Sequence, residues 1–372
     1  MRMRRHPLVR PLGRSLRSLR PKTLLGLAAA IARQRNIKRD RGFTLTEVLV
    51  AALIGALIVS GLLGVMVELL TTDARETARN ETQREMQLAL DYISTDLREA
   101  VYVYDGDCIA DVAATQGVNA AAVTDTCSDM FGNGYVPVPA NSTPVLAFWK
   151  LDDLPDAVKQ QCATNSSLII GDSQAPCLSG RAYTLVVYYL TRNEDNDPTW
   201  SGKGRIQRYE LPRYDNSGNP VAGYVNPQNT GFESWPIGDD GTAPSGSPSS
   251  TGIVTLVDFV DDRPMNQIDE LEGDASIECP FQYAPTPADA TLSNYGFDDV
   301  RNFYACVRVS DSLLDTASVT DESSAFNQKV ILFVRGNAVG KPGIDTVNEG
   351  FMPAIATQVL NRGVANKIPR SQ

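Results

Sequence analysis

Between Glu47 and Glu68 no side chain carries a charge. The intervening 20 residues make about 30 Å of α-helix, the thickness of a bilayer's hydrocarbon core. A single acid, Glu47, sits just inside the start of this run, and an intramembrane carboxylate is costly unless it finds a partner. Charge is split across the same point. Residues 1–42 hold 13 of the 34 Lys/Arg and one of the 44 acids, a net of +12, which leaves −22 for residues 43–372. A basic segment before a membrane span predicts a cytoplasmic N-terminus. An acidic remainder argues against nucleic acid or an anionic lipid surface as its partner.

All six cysteines, Cys108, Cys127, Cys162, Cys177, Cys279 and Cys306, lie beyond the apolar run. An even count outside the membrane reads as disulfides in an oxidising compartment. Of the 15 possible connectivities, sequential pairing is the expectation, with Cys279–Cys306 foremost. Zinc is disfavoured because no C-x-x-C spacing occurs. The single histidine is His6, so the chain beyond residue 42 has no Ser-His-Asp or Cys-His chemistry and no histidine metal ligand. No cofactor is expected. Calcium is a weak candidate at the acidic loop containing Asp195 and Asp197, with Asp258, Asp261 and Asp262 as further oxygen donors, although the spacing fits no EF-hand loop.

The segment Arg41-Gly42-Phe43-Thr44-Leu45-Thr46-Glu47-Val48 and the apolar helix after it resemble the processing signal of type IV pilins and type II secretion pseudopilins. The resemblance implies that a prepilin peptidase cuts after Gly42 and methylates the new amine of Phe43. It also implies that Glu47, the fifth residue after the cut, pairs with the terminal amine of a neighbouring subunit. Glycine before the cut suits a peptidase that must enclose the backbone closely. The implied partners are that peptidase, other pilins or pseudopilins, an inner-membrane assembly platform and the membrane itself. In related secretion systems the K-type tip subunit lacks the acid, so retention of Glu47 speaks against the extreme tip.

In chain order, residues 1–42 read as a cleaved leader. A secretory signal cut at Ala30-Ile31-Ala32 is the competing reading, and a shorter translated leader is another. Residues 43–104 read as one helix of about 93 Å, apolar over 43–67 and amphipathic over 68–104. Ala52, Ala56, Ser60 and Gly64 form a small-residue stripe of the kind that lets helices approach in lipid. The Gly61-x-x-Gly64 pair marks where the helix would loosen. Met86, Leu90, Ile93, Leu97 and Val101 form a buried stripe, with Glu81, Arg84, Glu85, Asp91, Asp96 and Arg98 on the other faces. Residues 105–336 read as a β-rich head. Strands are expected at Val145–Trp149, Leu168–Ile170, Tyr183–Thr191, Arg205–Leu211, Ile253–Val260, Phe303–Ser310 and Lys329–Arg335. Residues 212–251, rich in Pro, Gly, Ser and Asn, read as a mobile surface loop. The tail, 337–372, shows little strand pattern, with a short helix expected at Phe351–Leu360.

The fold class is therefore α+β, a long N-terminal helix packed on an antiparallel sheet. The strand phrases YTLVVYYL, RIQRYEL, VTLVDFVDD, YACVRVS and KVILFVRGN resemble the PilW/PulJ type of minor pilin and J-type pseudopilin. The helix phrase from Leu90 to Tyr102 resembles cyanobacterial pseudopilins of the hormogonium polysaccharide secretion type. The function implied is a non-enzymatic filament subunit that primes or sits near the tip and supports secretion or motility. Two other readings remain open: a membrane-anchored carboxylate-pair hydrolase, which would need no histidine, and a pilus adhesin that uses the 212–251 loop.

Overall fold

The computed structural model describes residues 42–110, 130–171, 173–194, 197–232, 234–237, 244, 246–264, 279–280, 283–308 and 329–360. The chain divides into two units, Met1–Val67 and Glu68–Gln372.

Helix α1 runs from Leu45 to Glu99. It contains no proline, and its residues are mostly good helix formers. It ends five residues earlier than the sequence pattern suggests. Ala100–Val103 is strand β1, which pairs antiparallel with β2 (Ser142–Asp153), Val103 opposite Phe148. The run Ala-Val-Tyr-Val has β-branched and aromatic character, and β2 supplies a partner edge that local propensity does not see. Asp105 then accepts a hydrogen bond from the Cys108 N–H at 2.9 Å and opens a short helix α2, Gly106–Ala110.

Beyond β2 come α3 (Asp156–Thr164), a two-stranded hairpin β3 (Ile169–Ile170) and β4 (Ser173–Gln174), then β5 (Arg181–Arg192) and β6 (Gly204–Leu211). A single turn α4 (Pro227–Thr230), β7 (Val254–Val260), β8 (Tyr283–Thr286), α5 (Asp289–Asn294), β9 (Phe303–Arg308), β10 (Lys329–Arg335) and β11 (Ala354–Leu360) complete the order. The strands form two main antiparallel sheets where the sequence suggested one. The first has the order β1-β2-β5-β6-β7 and the second β11-β10-β9-β8. An isolated bridge between Val260 and Gly336 joins the end of β7 to the chain leaving β10.

The near-continuous apolar run of β5 has a simple cause: both of its faces are buried. Val186, Tyr188 and Leu190 enter one core with Met86, Leu90, Ile93 and Leu97 of α1 and with Phe303, Val330, Leu332 and Val334 of the second sheet. Leu185, Val187 and Tyr189 enter a second core on the opposite face, with Tyr104, Trp149, Tyr209, Phe232 and Trp235. Trp149 and Trp235 meet edge to face at 5.3 Å. The Trp235 indole donates to the Val225 carbonyl at 2.9 Å. Within the 212–251 segment, whose composition suggests a mobile surface loop, Tyr214, Phe232 and Trp235 are buried, so its described parts anchor aromatic side chains in the core. Val101 belongs with this second core and not with the α1 stripe.

Two further expectations are corrected. Phe351–Leu360 is not helical: after a 3-10 turn at Glu349–Phe351, β11 pairs with β10 along its whole length. Asp96, expected on a solvent face, is buried against the first sheet. Its carboxylate accepts from the Tyr188 hydroxyl at 2.7 Å and from Arg208 Nε at 2.8 Å, with Lys150 Nζ at 3.5 Å. Lys150 also lies 3.2 Å from both Asp152 and Glu210, and Arg208 also pairs with Glu210. Burial alone would lower the Lys150 pKa, but Asp96, Asp152 and Glu210 together raise it.

This arrangement makes two predictions. Asp96→Ala removes the buried carboxylate that Arg208 and Lys150 share and leaves them the more exposed Glu210 and Asp152, so urea unfolding of the detergent-solubilised chain is expected to show a loss of about 1.5–3 kcal/mol. For Glu210, burial pushes the carboxyl up, but the hydrogen bond and charge of Arg208, with Lys150, outweigh it and hold the pKa below its ordinary 4.5. A depressed folded pKa adds stability above the unfolded value and loses it as pH falls through the lower folded value. The urea midpoint should therefore fall as pH drops below 4.5, and this acid sensitivity should be reduced in Glu210→Gln.

Candidate functional site

The helix start is assembled from local chemistry. Gly42, Phe43 and Thr44 precede α1 and are exposed. Thr44 acts as N-cap: its carbonyl accepts from the N–H groups of Glu47 at 3.0 Å and Val48 at 3.2 Å, and its hydroxyl accepts from the Glu47 N–H at 3.3 Å. Thr-x-x-Glu is the spacing of a capping box, and the acid in the first turn complements the helix dipole. The cap is spelled out by Thr44-Leu45-Thr46-Glu47, a local signal distinct from the processing pattern that overlaps it. Among the described residues the Glu47 carboxylate has no hydrogen-bond or ion-pair partner, and the side chain is exposed.

A Cβ built on Gly42 would meet nothing within 4 Å. Among the described residues nothing in the fold requires glycine there. Gly55, Gly61 and Gly64 are equally open. Each lowers helix stability by about 1 kcal/mol relative to alanine, with no close contact among the described residues to explain it. The helix nevertheless runs without interruption through Gly61 and Gly64.

From Val48 to Val67 the large apolar side chains are all exposed, as are Ala52, Ala56, Ser60 and Gly64. The small-residue stripe thus faces outward and has no partner among the described residues. Within the described residues, α1 holds the one stretch long and apolar enough to cross a membrane.

The remaining candidate residues lie elsewhere. Cys162 pairs with Cys177, and Cys279 with Cys306. Cys108 is also disulfide-bonded, while Cys127 and Asp195 lie outside the described residues. The Asp197 carboxylate accepts from the Thr199 and Trp200 N–H groups at 2.7 and 3.2 Å. Asp258 accepts from Asn193, Ser201 and Gly202 at 2.8–3.1 Å and fixes the base of the β5–β6 hairpin. Asp261 is fully buried against Arg263, Arg335 and Asn337. Among the described residues these acids do not gather with others into a cluster that could hold a metal ion.

Residues 37–63 match the family model of the prokaryotic N-terminal methylation motif. The matched stretch contains Gly42, Phe43, Glu47, Ala52, Ala56 and Ser60, and it indicates a type IV pilin-like substrate of a prepilin peptidase. Comparison with curated proteins and with solved structures gives no match.

The cap can be tested apart from any function. Thr44→Ala should reduce protection of the Glu47 and Val48 amides in detergent micelles, read by hydrogen exchange, by an amount corresponding to about 1 kcal/mol. Protection beyond Ala78 should not change.

Proposed function

We propose that the protein is a minor pilin or J-type pseudopilin, a structural and non-catalytic subunit placed near the tip of a type IV pilus-like or type II secretion-like filament. The observation that carries this reading is the methylation motif at 37–63, set at the head of α1 where Glu47, without a partner among the described residues, precedes the exposed and uncharged stretch 48–67. In this reading a prepilin peptidase encloses the open backbone at Gly42, cuts after it and methylates Phe43. The chain is held by one span in the inner membrane, with residues 1–42 cytoplasmic before processing and the acidic, disulfide-bonded head outside. Its partners are the peptidase, other pilins or pseudopilins and an inner-membrane assembly platform, and the filament serves polysaccharide or protein secretion, or motility.

The chemistry of assembly follows from solvation. A carboxylate near lipid depth and a terminal amine near lipid depth are each costly alone. Paired between neighbours in the correct register, each offsets the other's desolvation, and a slipped register leaves both unpaired. The size of the head supports a minor subunit: about 265 residues beyond the helix is bulky for the repeating unit of a thin filament.

Two measurements test the proposal. Mass spectrometry of the membrane-bound protein should find N-methylated Phe43 as the first residue when the peptidase is present and an unprocessed chain when it is absent. A mature chain beginning elsewhere would end this reading. Glu47→Ala should leave the cut after Gly42 intact and reduce recovery of the subunit in sheared filaments at least about ten-fold, as expected for an unpaired charge costing more than about 1.4 kcal/mol.

A further inference from the structure

The two main sheets have four edges, and three of them are blunted. β1 has four residues and a register shift between Ala100 and Tyr102. β7 carries Asp258, pairs with β6 through two register shifts, and is closed at its end by the bridge from Val260 to Gly336. β8 has four residues, one of them Pro285. Charge, proline, bulges and brevity are the devices that keep sheet edges from pairing with other chains. β11 has none of them. Its sequence, Ala-Ile-Ala-Thr-Gln-Val-Leu, contains no charge, proline or glycine. It pairs with β10 in one unbroken register from Lys329 opposite Leu360 to Arg335 opposite Ala354. Val359 is buried and Ile355 packs on the core, while Ala354, Ala356, Gln358 and Leu360 are exposed. The backbone groups of β11 that face away from β10 have no partner among the described residues.

We infer that this free edge is a strand-addition site for an uncharged, extended segment of a different membrane-anchored subunit. The partner's chemistry follows from the edge. An added strand takes its affinity from main-chain hydrogen bonds and its specificity from alternate side chains. Opposite Ile355 and Val359 it must present apolar, β-branched residues that extend the core, and opposite Ala356 and Gln358 it can be polar. A seven-residue strand is a strip about 24 Å long and about 4.8 Å wide, on the order of 100 Å² in outline and well short of the roughly 1,000 Å² that a free-standing specific interface buries. The pairing therefore needs a second tether that raises the local concentration. The exposed span over 48–67 supplies one if the partner sits in the same membrane, and to that extent the inference rests on the anchored-subunit reading above. A second copy of this chain fits poorly, because residues 43–372 carry a net charge of −22 and two such heads repel.

The test uses the full chain in membranes of its native host, with the photo-crosslinker p-benzoylphenylalanine in place of Gln358 and, separately, in place of Leu178, a 98 % exposed loop residue. The expected result is one discrete adduct from position 358 and none from 178. Peptide mass spectrometry should map the partner to an uncharged strand segment of another protein that has a membrane span. Adding Ala356→Lys, an exposed change on the same edge, should lower that adduct at least about five-fold while the amount of chain in the membrane stays constant. The inference is overturned by no adduct at 358, by an adduct with a second copy or with a soluble protein, or by insensitivity to Ala356→Lys. The N-terminal mass separates it from the proposed function. Methylated Phe43 without an adduct removes this inference alone. An adduct on a chain whose Phe43 is never freed removes the filament reading and leaves the edge assignment standing.

Discussion

The carboxylate of Asp96 is the point at which the helix is fixed to the head. It draws Tyr188 of β5, Arg208 of β6 and Lys150 of β2 onto one residue of α1, so the three inner strands of the first sheet and the helix share a single cluster. Burying charges is expensive, and a well-packed apolar replacement would often be as stable. What the cluster adds is position. A one-residue slip of β6 would turn Arg208 to the opposite face, into the aromatic core, and leave Asp96 short of its closest cation. A rotation of α1 by one residue would move Asp96 out of reach of all three partners. Apolar contacts tolerate such shifts better, because they lack direction.

A second clasp lies further up the helix. The Lys341 ammonium is nearly buried between Glu85 at 2.9 Å and Glu81 at 3.3 Å, over the Phe259 ring, and Arg75 donates to the Gly343 carbonyl at 2.9 Å. These contacts hold the segment between β10 and β11 against the turns of α1 from Arg75 to Met86. Gly336 permits that approach, since a Cβ there would come within 2.8 Å of the Thr82 methyl. The clasp also positions the start of β11, so the open edge of the second sheet and the grip on the helix depend on the same short stretch of chain.

The parts legible in the sequence were those whose cause is local. The α1 stripe of Met86, Leu90, Ile93 and Leu97 and the paired runs of β5 and β6 announce themselves by period. Gly42, Phe43 and Glu47 lie within six residues, so the methylation motif matched at 37–63 stands out as one short run. Cys162 and Cys177 are close enough in sequence for sequential pairing to be a natural guess. What stayed hidden was set by tertiary partners. Asp96 reads as a solvent-facing acid until Lys150 of β2 and Arg208 of the alternating strand β6 are seen to converge on it. The 212–251 segment has the composition of a loop, and its fate is decided by Tyr214, Phe232 and Trp235, spaced too irregularly to form a pattern. β11 contains enough alanine to pass for a helix, and only the free side of β10 makes it a strand. The end of α1 at Glu99 is likewise fixed by β2, not by a capping residue.

The helix start and the head place opposite demands on α1. From Ala78 onward its buried face is satisfied inside the chain. Before Glu68 its apolar side chains are exposed, and leaving them in water costs about 25 cal/mol for each Å² of apolar surface. That stretch must be covered by lipid or by other helices, and the outward line of Ala52, Ala56, Ser60 and Gly64 suits close approach by either. The N-cap is compatible with the proposed cut. It uses Thr44 and the N–H groups of Glu47 and Val48, all downstream of Gly42, so removing residues 1–42 leaves the first turn's hydrogen bonds in place. The Glu47 carboxylate takes no part in those bonds. It is therefore the group at the helix start that can accept a new cation without dismantling the cap, and the amine that cleavage would create at Phe43, on a neighbouring chain, is a cation of that kind.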